Sequence, residues 1–276
     1  MGQSTLIAWT DHSFNIAWGC VKISPGCKNC YADAQSARFG FDIWGAKKPR
    51  RTFGDYHWRE PLRWNEQAIE AGQRRRVFCS SMCDVFEDHP TIAGELARLW
   101  PLIRATPALD WQLLTKRADR IAANLPADWG DGWPNVWLGV SIENNDFVGR
   151  ADHLRRIPAT VRFISYEPAL GPLDRLNLYR IDWLIYGGES GRGFRAEDKK
   201  WARDIRARCD AGGVAFFHKQ SSGMRTESGI ELDGQIVRDY PRPRLPTLMP
   251  ATEAQGLFAS APGGPPADRV SGGGPW

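Results

Sequence analysis

The chain has 276 residues, of which 42% are hydrophobic and 25% charged, and its formal net charge is +4. These fractions are typical of a globular protein and exclude wholesale disorder, and so small a net charge gives no argument for a nucleic-acid partner. No apolar run reaches the roughly 18 residues that a membrane span requires, and the first residues lack the pattern of a secretory signal. We therefore expect a cytoplasmic protein without a membrane partner. In that compartment its six cysteines indicate metal ligands or catalytic groups more than disulfides.

Short β-branched or aromatic runs alternate with longer amphipathic segments along most of the chain. Because two parallel strands need a crossover between them, this alternation predicts a parallel sheet with helices between the strands. The predicted strands are Phe14–Trp18, Val77–Ser80, Trp111–Leu114, Val136–Val140, Val161–Ser165, Trp183–Tyr186 and Val214–Phe217. The predicted helices are Tyr31–Phe39, Thr91–Ala105, Phe147–Arg156 and Asp198–Ala211.

Polar or small residues follow almost every predicted strand, as Lys219 follows the last one. In parallel barrels the site forms at the carboxyl ends of several strands. We therefore predict an α/β fold, a full or partial parallel β/α barrel of six to seven βα units over residues 1–245. An open doubly wound sheet, which also binds ligands at its carboxyl ends, is the alternative. Residues 41–64 are predicted to be an aromatic and basic insertion, and the Pro/Gly-rich residues 246–276 a disordered tail.

Three cysteines follow the first predicted strand with the spacing Cys-x6-Cys-x2-Cys, at Cys20, Cys27 and Cys30. The intervening Pro25-Gly26 permits a tight bend that could bring Cys20 back to the other two. Three thiolates on a four-iron cluster leave one iron for a ligand that is not protein, whereas a structural zinc site usually closes with four protein ligands. We favour an iron–sulfur cluster over zinc or no metal. Candidates for a fourth zinc ligand are His12, Cys79 and Cys83.

These segments resemble a known family. Thr10–Asn15, Trp18–Cys20 and Ser24–Ala32 are similar to the phage-type three-Cys-motif family, which is radical SAM-like. The resemblance implies that the three cysteines hold a [4Fe-4S] cluster whose free iron binds S-adenosylmethionine (SAM). It also implies that an electron from a flavodoxin-like or ferredoxin-like donor cleaves SAM, and that the resulting radical abstracts hydrogen from a substrate in the barrel.

Two features differ from the usual radical SAM pattern. The first gap between cysteines is six residues and not three, and Gly187-Gly188-Glu189 follows the sixth predicted strand and not the second. At the second strand, Ser80, Ser81 and Asp84 are therefore the candidate acceptors for the SAM amino group.

Further candidates lie at the other strand ends. Carboxylates there suit the SAM ammonium, ribose hydroxyls or substrate, and a lysine suits an anionic group; a salt-bridge network closing the barrel mouth is the alternative. The additional cofactor-binding candidates are Thr115, Ser141, Glu143 and Ser165. The candidate catalytic residues are Glu167, Glu189 and Lys219.

The sequence thus predicts a radical SAM-like iron–sulfur enzyme. Basic and aromatic residues in the insertion make a nucleic acid or nucleotide the substrate class to consider. The alternative function is a non-catalytic module, stabilised by an iron–sulfur cluster or zinc, that binds nucleic acid or a partner protein. An ordinary hydrolase is disfavoured because the histidines lack metal-protease spacing and no Gly-x-Ser-x-Gly motif occurs.

Overall fold

Seven parallel strands form one sheet in chain order, curled into a half-barrel, in the computed structural model, which describes residues 5–243. The predicted α/β fold is therefore confirmed in its partial-barrel form. The strands of this sheet are β1 His12–Phe14, β2 Arg75–Cys79, β3 Leu109–Thr115, β4 Val136–Ser141, β5 Val161–Tyr166, β6 Trp183–Gly187 and β7 Ala215–Gln220. The helices are α1 Tyr31–Arg38, α2 Asp55–Glu70, α3 Pro90–Arg104, α4 Gly149–Arg155 and α5 Lys199–Gly212, and a hairpin of β8 Glu231–Leu232 and β9 Gln235–Ile236 follows the sheet.

The sequence-based prediction misplaces the first strand and misses one helix. The first strand was predicted to cover Phe14–Trp18, but β1 ends at Phe14, since the Asn15 side chain accepts a hydrogen bond from the Met82 backbone N–H and the chain turns away from the sheet. Helix α2 was not predicted, because Pro61 stands inside it and proline removes a helical donor. Its buried face, which includes Trp58 and Trp64, packs against Phe14 and compensates for that loss.

The concave face of the half-barrel is lined by aromatic rings rather than by aliphatic side chains. Gly139 makes room for one of them, since a Cβ there would lie 2.3 Å from the Phe163 ring. This ring and its neighbours form an apolar floor below the carboxyl ends of the strands. The buried residues of this cluster are Trp9, Phe78, Trp137, Val161, Phe163, Trp183, Ile185 and Phe217.

Within the residues that the structure describes, β1 and β7 are not paired, and contacts of Tyr240 link the segment before β1 and strand β2 to the end of the described chain. The Tyr240 hydroxyl donates to the Ala8 carbonyl over 3.1 Å, and the Arg76 guanidinium lies 4.0 Å from the Tyr240 ring centroid. The predicted tail, 246–276, lies outside the described residues. Among the helices of the described part, none is long and apolar enough to cross a bilayer.

Candidate functional site

A cavity of about 750 Å³ opens at the carboxyl ends of the strands. The three cysteines of the motif and every candidate catalytic or cofactor-binding residue line it except Glu143, which is buried beside it, whereas the candidate zinc ligands His12 and Cys79 do not line it. The candidates that the cavity brings together are Cys20, Cys27, Cys30, Ser80, Ser81, Asp84, Thr115, Ser141, Ser165, Glu167, Glu189 and Lys219.

The three cysteines lie on the loop between β1 and α1, here called the three-Cys loop (residues 20–30). A single 3₁₀ turn at Pro25–Cys27 makes the predicted bend, and the Cys27 Sγ lies 3.6 Å from the Ser24 hydroxyl. All three thiols are free and partly buried. Burial raises the pKa of Cys20 to about 12 and also raises the pKa of Cys30, so binding of a metal must displace their protons.

The arrangement of the thiols bears on which metal group they suit. In residues 5–243 no three His, Cys, Asp or Glu side chains converge as they would around one metal ion, and a zinc site needs four ligands at about 2.0–2.3 Å. His12, a candidate fourth ligand, stacks on Trp64 and lines a separate cavity of about 440 Å³. Three soft sulfur donors facing one large cavity fit an iron–sulfur cluster, which is bigger than a single ion and bound by thiolates.

Glu143 holds one side of the three-Cys loop. Its side chain is 0% exposed, accepts a hydrogen bond of 2.5 Å from the Ser24 hydroxyl, and pairs with Lys116 and Arg150 at 2.8 Å each. A Cβ on Gly26 would lie 2.5 Å from its Oε1, so only glycine lets the loop approach this closely. These contacts indicate that Glu143 positions the loop, and the cofactor contact expected from the sequence stays a prediction.

Glu189 holds the opposite side of the loop. Its carboxylate accepts hydrogen bonds from the Asn29 amide at 3.1 Å and from the Arg195 backbone N–H at 2.8 Å, and it pairs with the Arg195 guanidinium. Arg195 in turn donates to the Pro25 carbonyl over 3.1 Å. We therefore interpret Glu189 as a second residue that holds the loop, and the catalytic role expected from the sequence stays a prediction.

A third set of contacts surrounds Cys20 and involves Arg117, which was not among the site residues predicted from the sequence. Arg117 Nη1 lies 3.7 Å from the Cys20 Sγ and donates to Asp84 over 2.9 Å. Asp84 also accepts from the Thr115 hydroxyl at 2.6 Å. Two of the cofactor-binding candidates, Asp84 and Thr115, are thus engaged in orienting Arg117. The polar run after the third strand was the available signal for Arg117.

The insertion predicted at 41–64 also contacts the residues next to Cys20, at the start of the three-Cys loop. Buried Glu87 accepts two hydrogen bonds from Arg50, at 2.8 and 2.9 Å, and one of 2.9 Å from the Val21 backbone N–H. A Cβ on Gly19, whose φ is +109°, would lie 2.4 Å from the Ile43 carbonyl oxygen. The insertion therefore packs tightly on the residues around Cys20.

Glu167 and Lys219 form a polar wall of the cavity. Lys219 Nζ pairs with Glu167 Oε1 at 2.9 Å, and both side chains remain 17% exposed. The Ser165 hydroxyl donates to the other carboxylate oxygen over 3.3 Å. Glu227 lines the same cavity, although no sequence pattern pointed to it, and burial raises the pKa of its carboxyl group.

The serine candidates lie nearer to the cysteines. Ser80 has a left-handed φ of +71°, which is uncommon for a residue with a Cβ. Strained backbone conformations of this kind occur mostly at functional sites. The Ser81 carbonyl accepts a hydrogen bond of 2.8 Å from Tyr31, the residue after Cys30. Ser141, at the end of β4, is buried and lines the cavity as well.

Basic side chains of the insertion and of the neighbouring run Arg74–Arg76 are largely paired within the protein. Arg74 makes a two-oxygen contact with Asp110, and Arg76 pairs with Asp11 near the amino ends of the strands. In the insertion, the Arg51 guanidinium lies about 5 Å from the ring centroids of Trp18, Phe41 and Phe53. These side chains stabilise the fold, so they give no separate support for a nucleic-acid surface.

A family model described as "Protein of unknown function (DUF5131)" matches residues 4–241. The chain belongs to this family. A search of curated protein sequences returned no match. The phage association expected for this DUF5131 protein stays a prediction.

Two solved structures of spore photoproduct lyase are similar in fold. One, a double mutant with bound AdoMet and dinucleoside spore photoproduct, has 13% identity and a TM-score of 0.45; the other, complexed with dinucleoside spore photoproduct, has 15% and 0.43. Each alignment covers 72% of this DUF5131 chain and 61% of the lyase chain, so the protein spans about three fifths of their length. At these identities and scores the two structures carry no argument about its activity.

Proposed function

We propose that this chain is a radical SAM-type iron–sulfur enzyme. One observation carries the proposal: three free cysteines of a single loop face a cavity of about 750 Å³ at the carboxyl ends of seven parallel strands. Parallel barrels assemble their sites at that end, and the cavity is within the size range of small-molecule sites. The sequence resemblance to radical SAM-like proteins supports the same assignment.

Cys20, Cys27 and Cys30 would hold a [4Fe-4S] cluster, because their donor set is entirely thiol. When bound and reduced, such a cluster supplies the electron that cleaves the sulfonium of SAM. The chain itself keeps the thiols at one end of the cavity through the contacts to Glu143, Glu189 and Arg117. Thiols that are already fixed lose less conformational freedom when they bind a metal group.

The cavity offers separate places for SAM and for a substrate. Hydroxyls of Ser80, Ser81, Ser141 and Ser165 lie at the ends of β2, β4 and β5, where they suit the amino-acid and ribose groups of SAM. Trp9 and Phe78, the rings of the apolar floor that line the cavity, would exclude water from a reactive species there.

Glu167 and Lys219 are the groups we assign to the substrate. Both side chains of this pair remain 17% exposed, so a ligand can replace their mutual contact without uncovering a fully buried charge. Lys219 would meet an anionic or carbonyl group, and Glu167 a hydrogen-bond donor. A nucleotide or nucleic acid offers both kinds of group, and we keep it as the proposed substrate class.

Anaerobic purification followed by iron analysis tests the proposal. We expect about four irons per chain and absorption near ~400 nm, with 5′-deoxyadenosine formed after addition of dithionite and SAM. Cys27→Ala should lose the iron, whereas Cys209→Ala, a matched control at a buried thiol of α5, should retain it. A colourless wild-type protein containing zinc would favour the binding-module alternative, and a protein with a full cluster that never cleaves SAM would contradict the enzymatic part.

A further inference from the structure

Arg117 places a positive charge beside one of the three cysteines. Its Nη1 lies 3.7 Å from the Cys20 Sγ, its Nη2 donates to the Val21 carbonyl over 3.1 Å, and its side chain is 10% exposed. We propose that Arg117 is a positioning residue for the cluster, which holds the Cys20 sulfur in place and raises the reduction potential by compensating the charge of its thiolate. This inference rests on the proposed function and deepens it.

Asp84 and Thr115 fix the orientation of Arg117. Asp84 accepts from Arg117 at 2.9 Å, and its two oxygens also accept from the Thr115 hydroxyl at 2.6 Å and the Lys116 backbone N–H at 3.1 Å. The Arg117 backbone N–H donates to the same Thr115 hydroxyl over 2.8 Å. A guanidinium held in this way cannot turn to another partner, so its remaining donors stay directed at the loop.

The local charge balance gives the direction of the effect. Arg50 and Arg117 carry two positive charges, and Asp84 and Glu87 carry two negative ones, within a single network of contacts. A thiolate at Cys20 brings the net charge of this network to −1, and removal of Arg117 would bring it to −2. Because an electron added to the cluster increases this negative charge further, loss of Arg117 disfavours the reduced state.

Three variants separate charge from packing. Arg117→Gln removes the charge, and Arg117→Lys keeps the charge but lacks the several N–H donors of the planar guanidinium. Arg120→Gln is the matched control. Arg120 lies in the next turn and contacts Asp88 and the Phe86 carbonyl. The measurements are iron retained after a chelator challenge, reduction potential from an EPR-monitored titration, and urea unfolding of the metal-free protein.

Arg117→Gln should retain the cluster about 10- to 100-fold less well than wild type, as is usual when a group supporting a metal ligand is removed. Its reduction potential should move to a more negative value, Arg117→Lys should stay nearer to wild type, and Arg120→Gln should match wild type. Thr115→Val, which leaves every charge in place but removes one of the hydrogen bonds that orient Asp84, should shift the potential in the same direction by less. The Thr115→Val variant tests the inference if Arg117→Gln unfolds.

The possible results are distinguishable. A wild-type protein that binds no iron contradicts the proposed function itself. If the wild type binds a cluster and Arg117→Gln has the same potential, the proposed role of Arg117 is wrong, whatever happens to iron retention. An equal loss of unfolding free energy and of iron in Arg117→Gln and Arg117→Lys, with no change in potential, would likewise reduce Arg117 to a structural residue.

Discussion

Replacing Glu143 by glutamine removes one negative charge from a side chain that is 0% exposed and leaves its shape nearly unchanged. Two cations, Lys116 and Arg150, are then left without their carboxylate, which each contacts at 2.8 Å in the wild type. Loss of one partner from a buried ion pair costs about 3–5 kcal/mol. Because both cations keep some contact with solvent, we expect a loss at the lower end, ~3 kcal/mol. For a domain of this size that loss corresponds to a fall in Tm of about 6–12 °C.

The pH dependence gives a second, independent sign. Burial alone would raise the pKa of Glu143, but the charges of Lys116 and Arg150 outweigh it and hold the pKa below its ordinary value of 4.5. The stabilisation is therefore present above about pH 4.5 and is lost as the pH falls through the lower pKa of the folded state. Wild type and Glu143→Gln should thus differ at pH 7 and converge in acid.

Urea unfolding of the metal-free protein at several pH values measures both effects. Asp204→Asn is the control, because its exposed pair with Lys200 should contribute less than about 1 kcal/mol. A Glu143→Gln variant that loses no more than this control at pH 7, or whose loss is the same at pH 7 and in acid, would show that the buried ion pairs do not hold the three-Cys loop.

Two further substitutions test the cavity itself. Gly139→Ala should lower the unfolding free energy by about 1–3 kcal/mol, because its methyl group would press on the Phe163 ring. Gly94→Ala is the control: this position has open space on an exposed face of α3, and the change should raise the unfolding free energy by up to about 1 kcal/mol. Equal effects of the two changes in urea titrations would refute the packing argument. Gly187→Ala would place a Cβ 2.2 Å from Glu167 Oε1 and should reduce 5′-deoxyadenosine formation with substrate present while iron content stays at the wild-type level; loss of iron instead would locate Glu167 at the cluster.

The seven strands could be predicted because each is an apolar run bounded by polar residues, and the parallel order followed from the segments between them. The end of β1 could not be predicted, because Phe14 to Trp18 is largely apolar in sequence. In the structure only the first of these residues belongs to the sheet, and Trp18 pairs with Arg51 outside it. Helix α2 was missed because Pro61 weakens the helical pattern, and only the packing of its buried face against the barrel offsets that cost.

The candidate site was predictable in place but only partly in role. Because the carboxyl ends of parallel strands meet at one edge, polar residues that follow the strands had to converge there. Which carboxylate meets which cation depends on contacts between residues far apart in sequence, such as Asn29 and Glu189, and no local pattern records them. The alternative weighed for these residues, a salt-bridge network at the barrel mouth, describes Glu189 and Glu143 better than ligand binding does.

This division of roles narrows where the chemistry of a substrate is to be found. The carboxylates that hold the three-Cys loop are each engaged by at least two donors, and a ligand that displaced them would leave cations such as Arg150 unpaired. The pair of Glu167 and Lys219 is different, because both side chains remain 17% exposed, whereas Glu143 and Glu189 are 0% and 4% exposed. A ligand could therefore replace the contact between Glu167 and Lys219 at a lower desolvation cost. Under the proposed function the acidic strand ends would serve two purposes: Glu143 and Glu189 would hold the three-Cys loop, and Glu167, after β5, would bind substrate.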